Sequence, residues 1–203
     1  MASLQRHLLF LYPRFPKASS KDFWVRHLLE SPDRTVFKNN SGELVINPSY
    51  LQDKFKPILE RPWSSELSGR MLSLTFKEGK SSDIRERANQ VADEQNKRRD
   101  NKKLSFRNLA YAYVTEFRSF KKWKFDVYLD PNKEDPAHAN LVIFNKIYVN
   151  GSSKISHEIF RDLAKIVKVE DATDTSKVDS LIAALSAQIR VEQYEGRTRR
   201  SQN

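Results

Sequence analysis

Apolar residues recur along the chain in short runs, and their spacing predicts most of its elements. Ser19-Ser20-Lys21-Asp22 has the form of a capping box. The residues after it, Phe23, Trp24, Val25, Leu28 and Leu29, are apolar all round a helical axis, which predicts a buried helix. Two β-prone runs, Thr35-Val36-Phe37 and Glu43 to Ile46, flank Asn39-Asn40-Ser41-Gly42 and predict a hairpin. Asn47-Pro48 is a helix start, with Asn as cap and Pro at the first helical position. Pro57 and Arg61-Pro62 bound that helix. Leu72, Leu74 and Phe76 alternate and predict a strand over 70–76, and a polar loop follows to Ser82.

The second half reads in the same way. Residues 83–100 have helical composition with a thin apolar stripe, Ile84, Ala88 and Val91. Phe106, Leu109, Ala110, Tyr113, Val114, Phe117 and Phe120 share one arc at about 100° per residue, which predicts a helix over 106–121. Trp123 to Asp130 alternates as a half-buried strand. A second strand runs from Leu141 to Val149, turned by Asn150-Gly151. Ser156 caps one further helix, and Ser176 with Asp179 opens the last, which Gly196 stops. The expected fold is α+β: a helix-rich single domain with two or three short antiparallel strand pairs and room for a small N-terminal subdomain. The regions are 1–77 (helix, hairpin, helix, strand), 78–196 (basic helical and C-terminal α/β) and 197–203 (a basic tail). They can equally form one continuous domain.

Composition narrows the chemistry. The 203 residues contain no cysteine, which excludes disulfides, thiolate metal sites and a cysteine nucleophile. There is no Gly-rich phosphate loop, no GxSxG and no HExxH. The four histidines are dispersed and none is assigned a role. The apolar run Leu8 to Tyr12 is shorter than a signal-peptide core, and nothing reaches the length of a bilayer span. The expected setting is soluble and intracellular, cytoplasmic or nuclear, with no cofactor and no membrane.

Charge changes the picture most. The net charge is +10, and residues 97–124 hold ten Lys/Arg against Asp100 and Glu116. On the predicted helix Arg107, Tyr111, Arg118 and Lys122 fall together, extended by Lys97, Arg98, Arg99, Lys102, Lys103, Lys121 and Lys124. Such a cationic ridge attracts phosphates, because neutralising them releases counterions. Tyr111 or Trp123 would stack on an unpaired base. Solvated helix faces normally mix signs, so ten against two favours a polyanionic partner. The expectation is a noncatalytic nucleic-acid-binding protein, DNA or RNA undetermined, with a genome-coating or homo-oligomeric form of the same role. Lys97 to Lys103 also resembles a nuclear-import signal.

Two alternatives stand beside it. Asp126, Asp130 and Glu134, near Asp135 and His138, form a carboxylate cluster of the kind a metal-dependent nuclease uses. A protein–protein adaptor with an acidic partner would need only the basic face.

Overall fold

The run from Phe23 to Leu28 is a strand, β1, and not the helix its pattern predicts. Trp24 and Leu28 are buried in one core while Phe23 and Val25 are buried in another. A strand covered on both faces is apolar all round, as a buried helix is, so periodicity alone does not separate them. The computed structural model describes residues 15–58, 61–75, 82–98, 104–122, 124–131, 135–144 and 157–200. After β1 come α1 (Pro32–Thr35), β2 (Val36–Lys38), β3 (Leu44–Ile46), α2 (Pro48–Lys54), β4 (Lys56–Ile58) and β5 (Arg61–Met71). Next are α3 (Leu72–Thr75), α4 (Ser82–Asn96), β6 (Asn108–Tyr113) and α5 (Val114–Ser119). The chain continues through β7 (Lys124–Leu129), β8 (His138–Phe144), α6 (His157–Ile166), β9 (Lys168–Asp171) and α7 (Thr175–Arg200).

The expected two or three short strand pairs are replaced by one antiparallel sheet of nine strands. Its order is β2-β3-β9-β6-β1-β5-β8-β7, with β4 also on β5. Strands from residues 23–71 therefore alternate in it with strands from 108–171. Helices cover both faces. On one side α2 and α6 pack through Tyr50, Leu51, Ile159, Phe160 and Leu163, and the Phe55 and Phe160 rings lie 5.6 Å apart. On the other side α4 and α7 pack through Ile84, Ala88, Val178, Ile182 and Ile189.

The helix expected over 106–121 is also corrected. Its first half is β6, the central strand between β1 and β9. Leu109 faces one core and Ala110 and Ala112 the other, so burial on two faces imitates a wide helical arc. Only Val114–Ser119 is helical, opened by the Glu116 carboxylate, which accepts from Tyr113 N at 3.0 Å. The strand expected over 70–76 ends at Met71. Leu72 is fully buried while Leu74 is 46% exposed, so the two do not share a face. Asp22 caps no helix. Its buried carboxylate accepts from Phe23 N at 2.7 Å and from the Ser73 amide at 3.2 Å and the Ser73 hydroxyl, tying β1 to α3.

Other expectations meet their elements. The hairpin is β2–β3, where Asn39 Oδ1 accepts from Ser41 N and Glu43 N, and Gly42 sits at φ +80°. Asn47 caps α2 through Ser49 N at 3.0 Å, with Pro48 beside it. Helix α4 and strand β7 lie where the pattern puts them. Helix α7 begins two residues earlier than expected: Asp174 accepts from Ser176 N at 3.1 Å and Lys177 N at 3.3 Å. Nor does Gly196 stop α7, which runs on to Arg200. Strand β9 was not expected. The turn at Asn150-Gly151 and residues 77–81 of the expected loop lie outside the described residues, while Ser82, its expected end, opens α4.

Candidate functional site

Replacing a long helix by β6 and α5 divides the basic segment. Asn96, at the end of α4, bonds both ways with Leu104: its Nδ2 donates to the carbonyl at 3.0 Å and its Oδ1 accepts from the amide at 2.6 Å. Lys97 and Arg98 therefore sit beside the entry to β6, where Arg107 N donates to Leu28 O at 3.1 Å. All three side chains are exposed. Arg118, Lys121, Lys122 and Lys124 lie past the other end of β6, about 20 Å away at a strand rise of about 3.3 Å per residue.

The second group is largely engaged. Arg118 donates from Nε to Asp126 Oδ1 at 2.7 Å and from Nη2 to Ala18 O at 2.8 Å. Lys122 pairs with Glu158. Lys124 is exposed at the start of β7, and Lys121 is exposed without an acidic partner among the described residues. Tyr111 is half-buried against the second core, and burial, with Glu170 and Glu116 nearby, pushes its hydroxyl pKa up. Arg99, Lys102, Lys103, Trp123 and Glu134 lie outside the described residues.

The acidic candidates are separated too. Asp126 is buried and bonded to Arg118 and, at 2.7 Å, to Lys17. Asp130 instead accepts from Asn140 Nδ2 at 3.0 Å. Among the described residues no three His, Asp or Glu side chains are grouped to hold a metal ion.

Of the residues that converge most closely, Asp130 and His138 belong to the expected carboxylate cluster, while Arg26 and Ser68 are ones the sequence did not single out. Strands β1 and β5 pair only at Trp24↔Met71 and Val25↔Arg70. Past that point they part, although each keeps its other neighbour, β6 or β8, over its length. A cleft of about 620 Å³ opens between them. Arg26 reaches across it and donates from Nη1 to the Ser68 carbonyl. Ser68 Oγ lies 2.8 Å from His138 Nε2, and His138 Nδ1 lies 2.9 Å from Asp130 O and 3.5 Å from Asp130 Oδ2. Register explains the meeting: Arg70 is opposite His138 and Ser68 opposite Asn140, so Ser68 and His138 are diagonal neighbours on one face. Seventy residues of sequence separate them, and no local motif marks the pair.

No known protein family, curated protein or solved structure matches this chain. Its function is therefore argued from its own side chains.

Arginines from both strands line the cleft. Arg70 Nη2 pairs with Asp135 at 2.9 Å, but among the described residues its Nε and Nη1 are buried with no acceptor, as are Arg26 Nε and Arg87 Nε. Burial and the charges of Arg70, Arg26 and Arg87 pull the His27 pKa down to about 3. The unfolded chain takes up this proton near 6.5, and the folded chain holds His27 neutral until about pH 3. Acid therefore favours unfolding: the contribution is complete above pH 6.5 and is lost as pH falls towards 3. Melts at successive pH values should show stability falling by roughly 1 kcal/mol per unit below pH 6 from this group. His27→Gln should flatten that slope.

Proposed function

We propose that the protein binds nucleic acid through the cluster at the α4–β6 end of the molecule, formed by Lys97, Arg98 and Arg107. The supporting observation is that these three side chains are exposed and form no ion pair among the described residues. They belong to a segment in which basic residues outnumber acids ten to two. Lys121 adds a separate contact at the far end of β6. Arg118 and Lys122 take a lesser part, because Asp126 and Glu158 neutralise them. Tyr111 is set in the second core, which makes this a phosphate-reading surface more than a base-stacking one.

Filter binding to single- and double-stranded DNA and RNA, across about 50 to 200 mM salt, tests this reading. Affinity should fall steeply with salt. Reversing all three residues (K97E, R98E, R107E) should weaken duplex binding by more than about tenfold and make the salt slope about 2 to 3 shallower. K121E alone should change it by less than the triple variant. Wild-type affinity in the triple variant, or no affinity at low salt, would overturn the proposal. Binding to an acidic protein in place of nucleic acid would favour the adaptor.

A further inference from the structure

We propose that the cleft between β1 and β5 is an acyl-transfer site for a small, negatively charged carboxylic ester, with Ser68 as nucleophile and His138 as its base. This site is independent of the nucleic-acid surface, and either can hold without the other. The contact chain fixes the proton positions. The Asp130 carbonyl can only accept, so His138 Nδ1, 2.9 Å away, carries the hydrogen. The Nε2 lone pair then faces the Ser68 hydroxyl at 2.8 Å, the arrangement a general base needs. Asp130 Oδ2, 3.5 Å from the same Nδ1, lies where it stabilises an imidazolium. Ser68 is exposed, so its oxygen can be reached from solvent.

The unfilled hydrogen-bond valences of the cleft decide the substrate's charge. Its carboxylates are engaged: Glu30 with Lys54, Glu66 with Asn140 at 3.3 Å, Asp130 with Asn140 and His138. Among the described residues the guanidinium atoms left without an acceptor are Arg26 Nε and Arg70 Nε and Nη1, all of them donors and buried. Buried donors without acceptors are costly, and a side-chain shift that brings them to a ligand anion relieves that cost.

The reaction closes without a further reagent. Ser68 Oγ bonds to the ester carbonyl carbon, and its proton passes to His138 Nε2. The carbonyl π pair moves to oxygen. Collapse breaks the bond to the leaving alcohol, which takes the proton from His138. Water then adds to the acyl-Ser68 ester in the same way, giving its proton to His138. Ser68 leaves with that proton, and a carboxylic acid is released.

The test uses the full chain with p-nitrophenyl acetate and mono-p-nitrophenyl succinate, and a fluorophosphonate probe located by mass spectrometry. Release of p-nitrophenolate is expected, with the probe on Ser68. S68A should abolish both, and H138Q should slow turnover by about a hundredfold or more. R26Q and R70Q should raise KM for the succinate ester by more than they raise it for the acetate ester. Circular dichroism melts confirm that each variant is folded, and the adduct on the unaltered protein needs no variant. A probe on another residue, turnover that survives S68A, or a folded protein that binds succinate without any turnover would overturn the proposal.

Discussion

Gly69→Ala is expected to lower folding stability by about 3 kcal/mol, at the upper end of what one added methyl costs in a packed core. A Cβ at this position would overlap Nε1 and Cε2 of the Trp24 indole and lie 2.6 Å from Cζ2. Trp24 cannot retreat: it is 1% exposed, and its ring meets Phe117 edge-on at 6.0 Å. Among the described residues the indole Nε1 has no acceptor, and it lies where a Cβ at Gly69 would stand. Urea melts measure the loss directly. Gly42→Ala provides the contrast, since a Cβ there meets nothing and only the positive φ opposes it, at about 1 kcal/mol. Equal losses at the two glycines would show that Trp24 moves freely.

Arg118→Ala is expected to cost about 3 kcal/mol, because it strips the main partner from a buried carboxylate. The Asp126 side chain is 7% exposed, and its other cation, Lys17, is 61% exposed and well solvated. The value sits at the low end for a broken buried pair because Lys17 remains. Asp126→Ala should cost less, since Arg118 keeps the Ala18 carbonyl and is more open to water. The double variant should fall well short of the sum of the two, and that shortfall in a double-mutant cycle is the coupling to measure. Additive losses, or a stability unchanged by Arg118→Ala, would free Arg118 for a ligand.

That pair also shows what the sequence could and could not convey. Arg118 reads as a phosphate contact and Asp126 as a metal ligand, yet each occupies the other. Eight residues separate them, and the turn from α5 into β7 brings them together, so neither charge is visible as paired until the turn is known. Local chemistry was legible where it is local: the Asn39–Gly42 turn, the Asn47-Pro48 start and the stripe of α4 all sit where their residues put them. Strands β1 and β6 were not, because layers on both faces erase the period of two that would reveal them. The Ser68–His138 contact depends on the register of β5 against β8, which no short-range pattern carries.

The position of β9 has a consequence for how the chain assembles. Among the described residues the hairpin β2–β3, finished by residue 46, joins the sheet only through β9, which pairs with both β3 and β6. During synthesis that hairpin must wait while more than a hundred residues follow it. Until then β6 has an open edge, one that can recruit a strand from another chain. Sheet closure is thus among the last events in folding, and the high sequence separation of its pairings favours a slow one. A growing chain of this protein is most in need of protection just before its last strand arrives.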